Sequence, residues 1–144
     1  MNMTEAEAFW ALGLLSREKV PAIAQEALES GSDSPALRIL AGLTPAELDE
    51  VAPRFEVTLL SLGLGKLSKP EALRICIRAI SQQIVSGVIG PYEGARMIWK
   101  AAHQVDGTHE ADPFIYAASE YEDRPEDRQH FSNEILKEAN RRLG

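Results

Sequence analysis

The sequence predicts an all-α fold, a compact bundle of about seven to nine short helices within one domain over 1–144, with a subdivision near residue 67 left open. Three observations carry this expectation. Small polar residues and prolines recur together where helices begin, at Asp33-Ser34-Pro35, Thr44-Pro45, Ser68 with Pro70, and Asp112-Pro113. Between these marks, apolar residues return at three- and four-residue spacing, the period of one helix face. No segment alternates apolar and polar residues between hairpin turns, as a half-buried strand would.

Taken in order, Thr4 and Glu7 have the spacing of a capping box, in which each side chain answers a backbone N–H left free by the first turn. They predict a helix running to about Ser16. Pro21 opens a second helix, which ends near Ser30 at Gly31. Ser34-Pro35 opens a third, and Thr44 with Glu47 repeats the capping box. Pro53 lies inside the apolar pattern that follows. Its missing N–H and its clash with the preceding turn divide that region into two short helices, the second closed by Gly63 and Gly65.

Ser68, Pro70 and Glu71 open the longest helix, with Leu73, Cys76, Ile77, Ile80, Ile84 and Val88 in one stripe. Ile75 and Ala79 add apolar surface on a second side, which makes this the expected central helix. Gly87 and Gly90 end it. Pro91 starts a helix carrying Ala95, Ile98, Trp99, Ala102 and Val105, stopped by Asp106-Gly107, and another begins at Asp112-Pro113. The last starts at Pro125, with Glu126 and Asp127 near its positive end and Arg141 and Arg142 near its negative end. Its stripe is Phe131, Ile135, Leu136, Ala139 and Leu143.

Composition narrows the class. An apolar fraction of 44% and a charged fraction of 26% are those of an ordinary globular protein, and no apolar stretch approaches the roughly 20 residues of a membrane span. Acids stand near the N-terminus where a secretory signal carries Lys or Arg, and the lone Cys76 cannot form an intramolecular disulfide. Both point to the cytoplasm, and Cys76 is expected in the core. The net charge of −7 argues against general nucleic-acid binding. That charge is uneven. Residues 57–105 carry two acids and six bases, between flanks with ten acids each.

The run Ser30-Gly31-Ser32-Asp33-Ser34-Pro35-Ala36-Leu37, then Leu40-Ala41-Gly42-Leu43, resembles small helical bacterial proteins that carry a DSPALRxLAGL element. Gly90-Pro91-Tyr92-Glu93-Gly94-Ala95-Arg96-Met97-Ile98-Trp99, Asp112-Pro113-Phe114 and Ser119-Glu120-Tyr121-Glu122-Asp123-Arg124-Pro125-Glu126 are similar to the second half of the same group. The resemblance covers most of the chain. It implies a bacterial, helical, intracellular protein and implies no activity, none being established for the group.

Catalytic signatures fall short one by one. Gly63-Leu64-Gly65-Lys66 lacks the first glycine of a phosphate loop, where Leu60 stands, and its hydroxyl residue, where Leu67 stands. His109-Glu110 is not followed by the second histidine of a zinc protease, and His103, Asp106 and His109 would converge only around a helix end. Gly31-Ser32-Asp33-Ser34-Pro35 is a helix start and not a nucleophile elbow. His130, beside Gln129 on the last helix, reads as a surface residue, and Cys76 has no base or positive field to make it a thiolate. Arg74 and Arg78, four apart on one helix face, have the look of a nucleic-acid helix but no aromatic partners.

The remaining candidate is the acidic, aromatic stretch near the C-terminus. Tyr116 and Tyr121 would anchor a partner while Glu120, Glu122, Asp123 and Asp127 attract a basic one. The leading expectation is therefore a non-enzymatic helical interaction module, immunity- or antitoxin-like, with no cofactor and no membrane contact. The alternatives are a metal-dependent enzyme using His103, His109 and nearby carboxylates, and a nucleic-acid-binding regulator using Arg74 and Arg78. The apolar N-terminal helix with Phe9 and Trp10 leaves a homo-oligomer open.

Overall fold

All eight prolines of the chain lie in the first turn of a helical segment, where a missing N–H deprives the helix of no internal bond. The computed structural model describes residues 1–144 as eight α-helices, α1 (Met3–Ala11), α2 (Val20–Glu29), α3 (Pro35–Ala41), α4 (Val51–Ser61), α5 (Lys69–Val85), α6 (Pro91–Ala102), α7 (Asp112–Asp123) and α8 (Arg128–Leu143). Single 3-10 segments precede α2, α4 and α8, and there is no strand. The fold is all-α, with a helix number inside the expected range. No helix is long and apolar enough to cross a membrane. The chain divides into two compact units, Met1–Ser68 and Lys69–Gly144.

The N-terminal unit holds α1 to α4. Its core gathers Met3, Ala6, Val20, Ala24, Leu37, Leu40, Val51, Phe55 and Leu59, and Trp10 leans on Phe55 with ring centroids 5.2 Å apart. Phe9 is buried. The expected start of α1 is shifted by two residues. Asn2, not Thr4, is the cap. Its side chain accepts from the Glu5 N–H at 2.8 Å, and the Glu5 carboxylate accepts from the Asn2 N–H at 3.0 Å. Two overlapping boxes compete here, and the earlier one leaves Glu7 free to turn inward. The helix also stops sooner than Ser16. Gly13 takes a positive φ of 75°, and the Leu14 N–H closes back onto the Phe9 carbonyl at 2.8 Å, the hydrogen bond of a Schellman stop.

Glu7 is then the one buried carboxylate of the unit, 7% exposed. Its two oxygens accept from the N–H groups of Gly65 and Leu67 at 3.0 and 3.2 Å. The loop 62–68 can present both donors because Gly63 and Gly65 adopt positive φ, conformations that side chains rarely allow. Pro53 divides the preceding region as expected, since the 3-10 segment Pro45–Glu50 gives way to α4 at Val51.

The C-terminal unit is a four-helix bundle in which α5 packs on α6, α6 on α7, α7 on α8 and α8 back on α5. Leu73, Cys76, Ile77, Ile80 and Ile84 of α5 form the expected stripe and are buried, as are Ala95 and Ile98, Phe114 and Ala118, and Phe131 and Ile135 of the other three helices. Val88 does not join it. Gly87 ends α5 first, and Val88 stands in the following turn, 72% exposed. Small residues let the helices close together. An added Cβ at Gly94 would sit 2.5 Å from Ile84 Cδ1, so α6 approaches α5 to a distance only glycine permits.

Candidate functional site

The six residues proposed for partner binding lie on α7 and on the 3-10 turn leading to α8. Tyr121 and Glu122 turn away from the face of Tyr116, while Glu120 and Asp123, four and seven residues on, stay on it. A helix advances about 100° per residue, so Tyr116 and Tyr121 leave α7 on well-separated sides. Tyr121 turns to α6 and stacks on Tyr92, with centroids 4.3 Å apart and planes 14° apart. The Arg128 guanidinium lies 5.0 Å from its ring. The Tyr92 hydroxyl donates to Glu122 Oε2 at 2.6 Å, and Arg96 Nε is 3.5 Å from the same oxygen. That hydrogen bond holds the Tyr92 hydroxyl above its ordinary pKa, since ionising it would set two negative charges side by side. Tyr121 and Glu122 thus tie α6 to α7.

Glu120 is also engaged. Arg124 Nε meets its carboxylate at 2.9 Å and reaches Asp127 more loosely at 4.0 Å. Of the four acids read as a partner surface, only Asp123 has no cation beside it.

Tyr116 belongs to a different feature, a cleft of about 480 Å³ between α7 and α8. Pro113, Tyr116 and Ala117 form its α7 wall, and His130, Phe131, Glu134 and Glu138 form its α8 wall. Arg124 and Asp127 close the end at the turn. Phe131 is the buried floor, met edge-on by Tyr116 at 6.5 Å and by His130 at 4.9 Å. Tyr116 itself is 64% exposed, unusual for so large an aromatic in a cleft that could have covered it.

The charges of the cleft are not balanced. Burial raises the Glu138 carboxyl, but hydrogen bonds from Arg141 and Arg142, the latter at 2.6 Å, outweigh it and hold the group below its ordinary value. Glu138 is satisfied. Glu134 is exposed and has no ion pair, and Asp127 shares Arg124 with the closer Glu120. The cleft therefore offers two carboxylates beside an exposed phenol ring. Glu134 and His130 were not among the residues read as a site. The signal was present, because Asp127, His130, Phe131, Glu134 and Glu138 recur at three- and four-residue steps along one face of the last helix.

Arg74, Arg78 and His109 have partners within their own unit, whereas the exposed His103 side chain has none. Arg74 Nε donates to Glu110 at 2.8 Å, and Arg78 donates to the Arg142 carbonyl at 3.4 Å. His109 Nδ1 lies 2.9 Å from Asp112, and no group of three or more His, Cys, Asp or Glu side chains is arranged to hold a metal ion. Cys76 is buried, which pushes its thiol up to about 12. The Gly63–Lys66 loop does hold an anion, the internal carboxylate of Glu7. Compared with known proteins, the chain matches no family model, no curated protein and no solved structure.

Proposed function

We propose that this protein is a non-enzymatic interaction module whose α7–α8 cleft receives a basic segment of a partner protein. The observation that carries the reading is Tyr116, a large aromatic left 64% exposed over a cleft in which Glu134 has no ion pair and Asp127 only a loose one to Arg124. Aromatic anchors beside complementary charge are where interfaces concentrate their affinity. An arginine or lysine entering the cleft would lie along the phenol ring and reach Asp127 and Glu134, a cation–π contact and an ion pair at once. Masking a basic surface in this way is the role of an immunity- or antitoxin-like protein. The resemblance to small bacterial proteins and the lone cysteine favour a bacterial cytoplasm as the setting.

Glu120 and Glu122 move from the docking surface to its scaffold, since both already hold internal partners. The test compares variants in capture of partners from cell lysate at moderate salt. The wild-type protein should retain one basic protein in stoichiometric amount, Glu134→Lys should lose it, and Tyr116→Ala should weaken it by about tenfold. Glu56→Lys, at an exposed position of the N-terminal unit, should leave it unchanged. Equal retention by both cleft variants, with circular dichroism showing them folded, removes the cleft from the function.

A further inference from the structure

The outer face of α6 has the opposite character. Ala95, Ile98 and Ala101 turn to the core, so Arg96, Trp99, Lys100 and His103 share the remaining side, at steps of three, four and seven residues. With Met97 they line a groove of about 340 Å³. No acid is among its lining residues, in a chain whose net charge is −7. The side chains of Lys100 and His103 are exposed and make neither a hydrogen bond nor an ion pair. Arg96 is held in place, 3.5 Å from Glu122 and with its guanidinium 4.8 Å from the Trp99 ring centroid.

We propose that this groove binds a phosphate monoester carried on a planar aromatic group, a ligand of the nucleoside monophosphate class. Each part of such a ligand has a counterpart. Arg96 lies over the half-buried indole of Trp99, so a planar group would stack on the Arg96–Trp99 pair, and Lys100 and His103, three residues apart on the same groove, would meet the phosphate. Arg96, paired with Glu122, adds a planar donor fork more than free charge. The groove lies within the size range of small-ligand sites. A nucleic-acid strand fits less well, because it needs a continued track of cations. The nearest further bases in the sequence of this unit, Arg78 and Arg124, are spent on the Arg142 carbonyl and on Glu120.

The experiment is a nuclear magnetic resonance titration of the full chain at low salt, following the indole N–H signals. Trp10, the other tryptophan, lies in the N-terminal unit and serves as an internal reference. Adenosine, guanosine, cytidine and uridine monophosphates are compared with inorganic phosphate, adenosine, a short oligonucleotide and an acidic peptide. The Trp99 signal should shift saturably with one or more monophosphates while Trp10 stays fixed. Phosphate alone and adenosine alone should bind about tenfold more weakly or worse. Lys100→Glu, at an exposed position that leaves the core intact, should weaken binding by about tenfold, and Tyr116→Ala should not change it. Absence of a saturable shift, equal binding of inorganic phosphate, undiminished binding by Lys100→Glu, or preference for the oligonucleotide or the peptide would each overturn the proposal.

Discussion

At the scale of single residues, two buried polar groups of α1 and α5 face opposite fates. Ser81 is fully buried in α5 and its hydroxyl has no hydrogen-bond partner. A hydroxyl that leaves water and gains nothing carries a penalty of about 1–3 kcal/mol. Ser81→Ala should therefore stabilise the protein, raising the urea midpoint without changing the slope, and a lowered midpoint would show that the hydroxyl is satisfied in solution. Glu7 is the converse case, with both oxygens bonded. Glu7→Gln keeps the shape but sets an amide N–H₂ against a backbone N–H. It should lose about 1–3 kcal/mol in the same denaturation experiment.

At the scale of elements, the closeness of α5 and α6 rests on one missing methyl group. An alanine at position 94 would drive its Cβ into Ile84, 2.5 Å from Cδ1 and 2.6 Å from Cγ1. Helix propensity alone would favour Gly94→Ala. Overpacking should win, and the variant should be destabilised by about 1–3 kcal/mol, read as a fall in melting temperature. The C-terminal turns of α8 carry a charge-dependent contribution. The Glu138 carboxyl is held below its ordinary value of 4.5 in the folded protein. Its stabilisation is complete above that value and is lost as pH falls through the lower folded value. Glu138→Gln should flatten the fall of stability with acid in that window, and an unchanged acid limb would assign the loss to other carboxylates.

At the scale of the whole molecule, each compact unit contains one tryptophan, Trp10 in the first and Trp99 in the second. Single-tryptophan variants Trp10→Phe and Trp99→Phe therefore read the two units separately. Gly94→Ala should lower the midpoint reported by Trp99 and leave that reported by Trp10 in place; equal shifts at both would make the two units one cooperative body. The helices were largely legible in the sequence because prolines and glycines act locally: Pro21, Pro35 and Pro91 open helices whatever surrounds them. The start of α1 was not. Asn2 with Glu5 and Thr4 with Glu7 satisfy the same local rule, and what separates them is a contact from Glu7 to a loop 58 residues away. The candidate cleft was half legible. Tyr116 and Asp127 were visible as residue types, but nearness in sequence suggested that Tyr121 and Glu122 shared their surface, whereas helical phase sends those two to α6. Glu134 lay on a separate helix, so only its alignment with Tyr116 across the cleft brings it into the site.

The Glu7 contact also bears on synthesis at the ribosome. The chain emerges from its first residue onward, so α1 is outside the exit tunnel long before Gly65 and Leu67 are. Through that interval the carboxylate has only water and the first-turn N–H groups of α1 to answer it, and burying it would be costly. The N-terminal unit can close over Glu7 only after its own last loop has emerged. Until then, a charged side chain stands on the face of α1 that will later turn inward, which disfavours burying that face early.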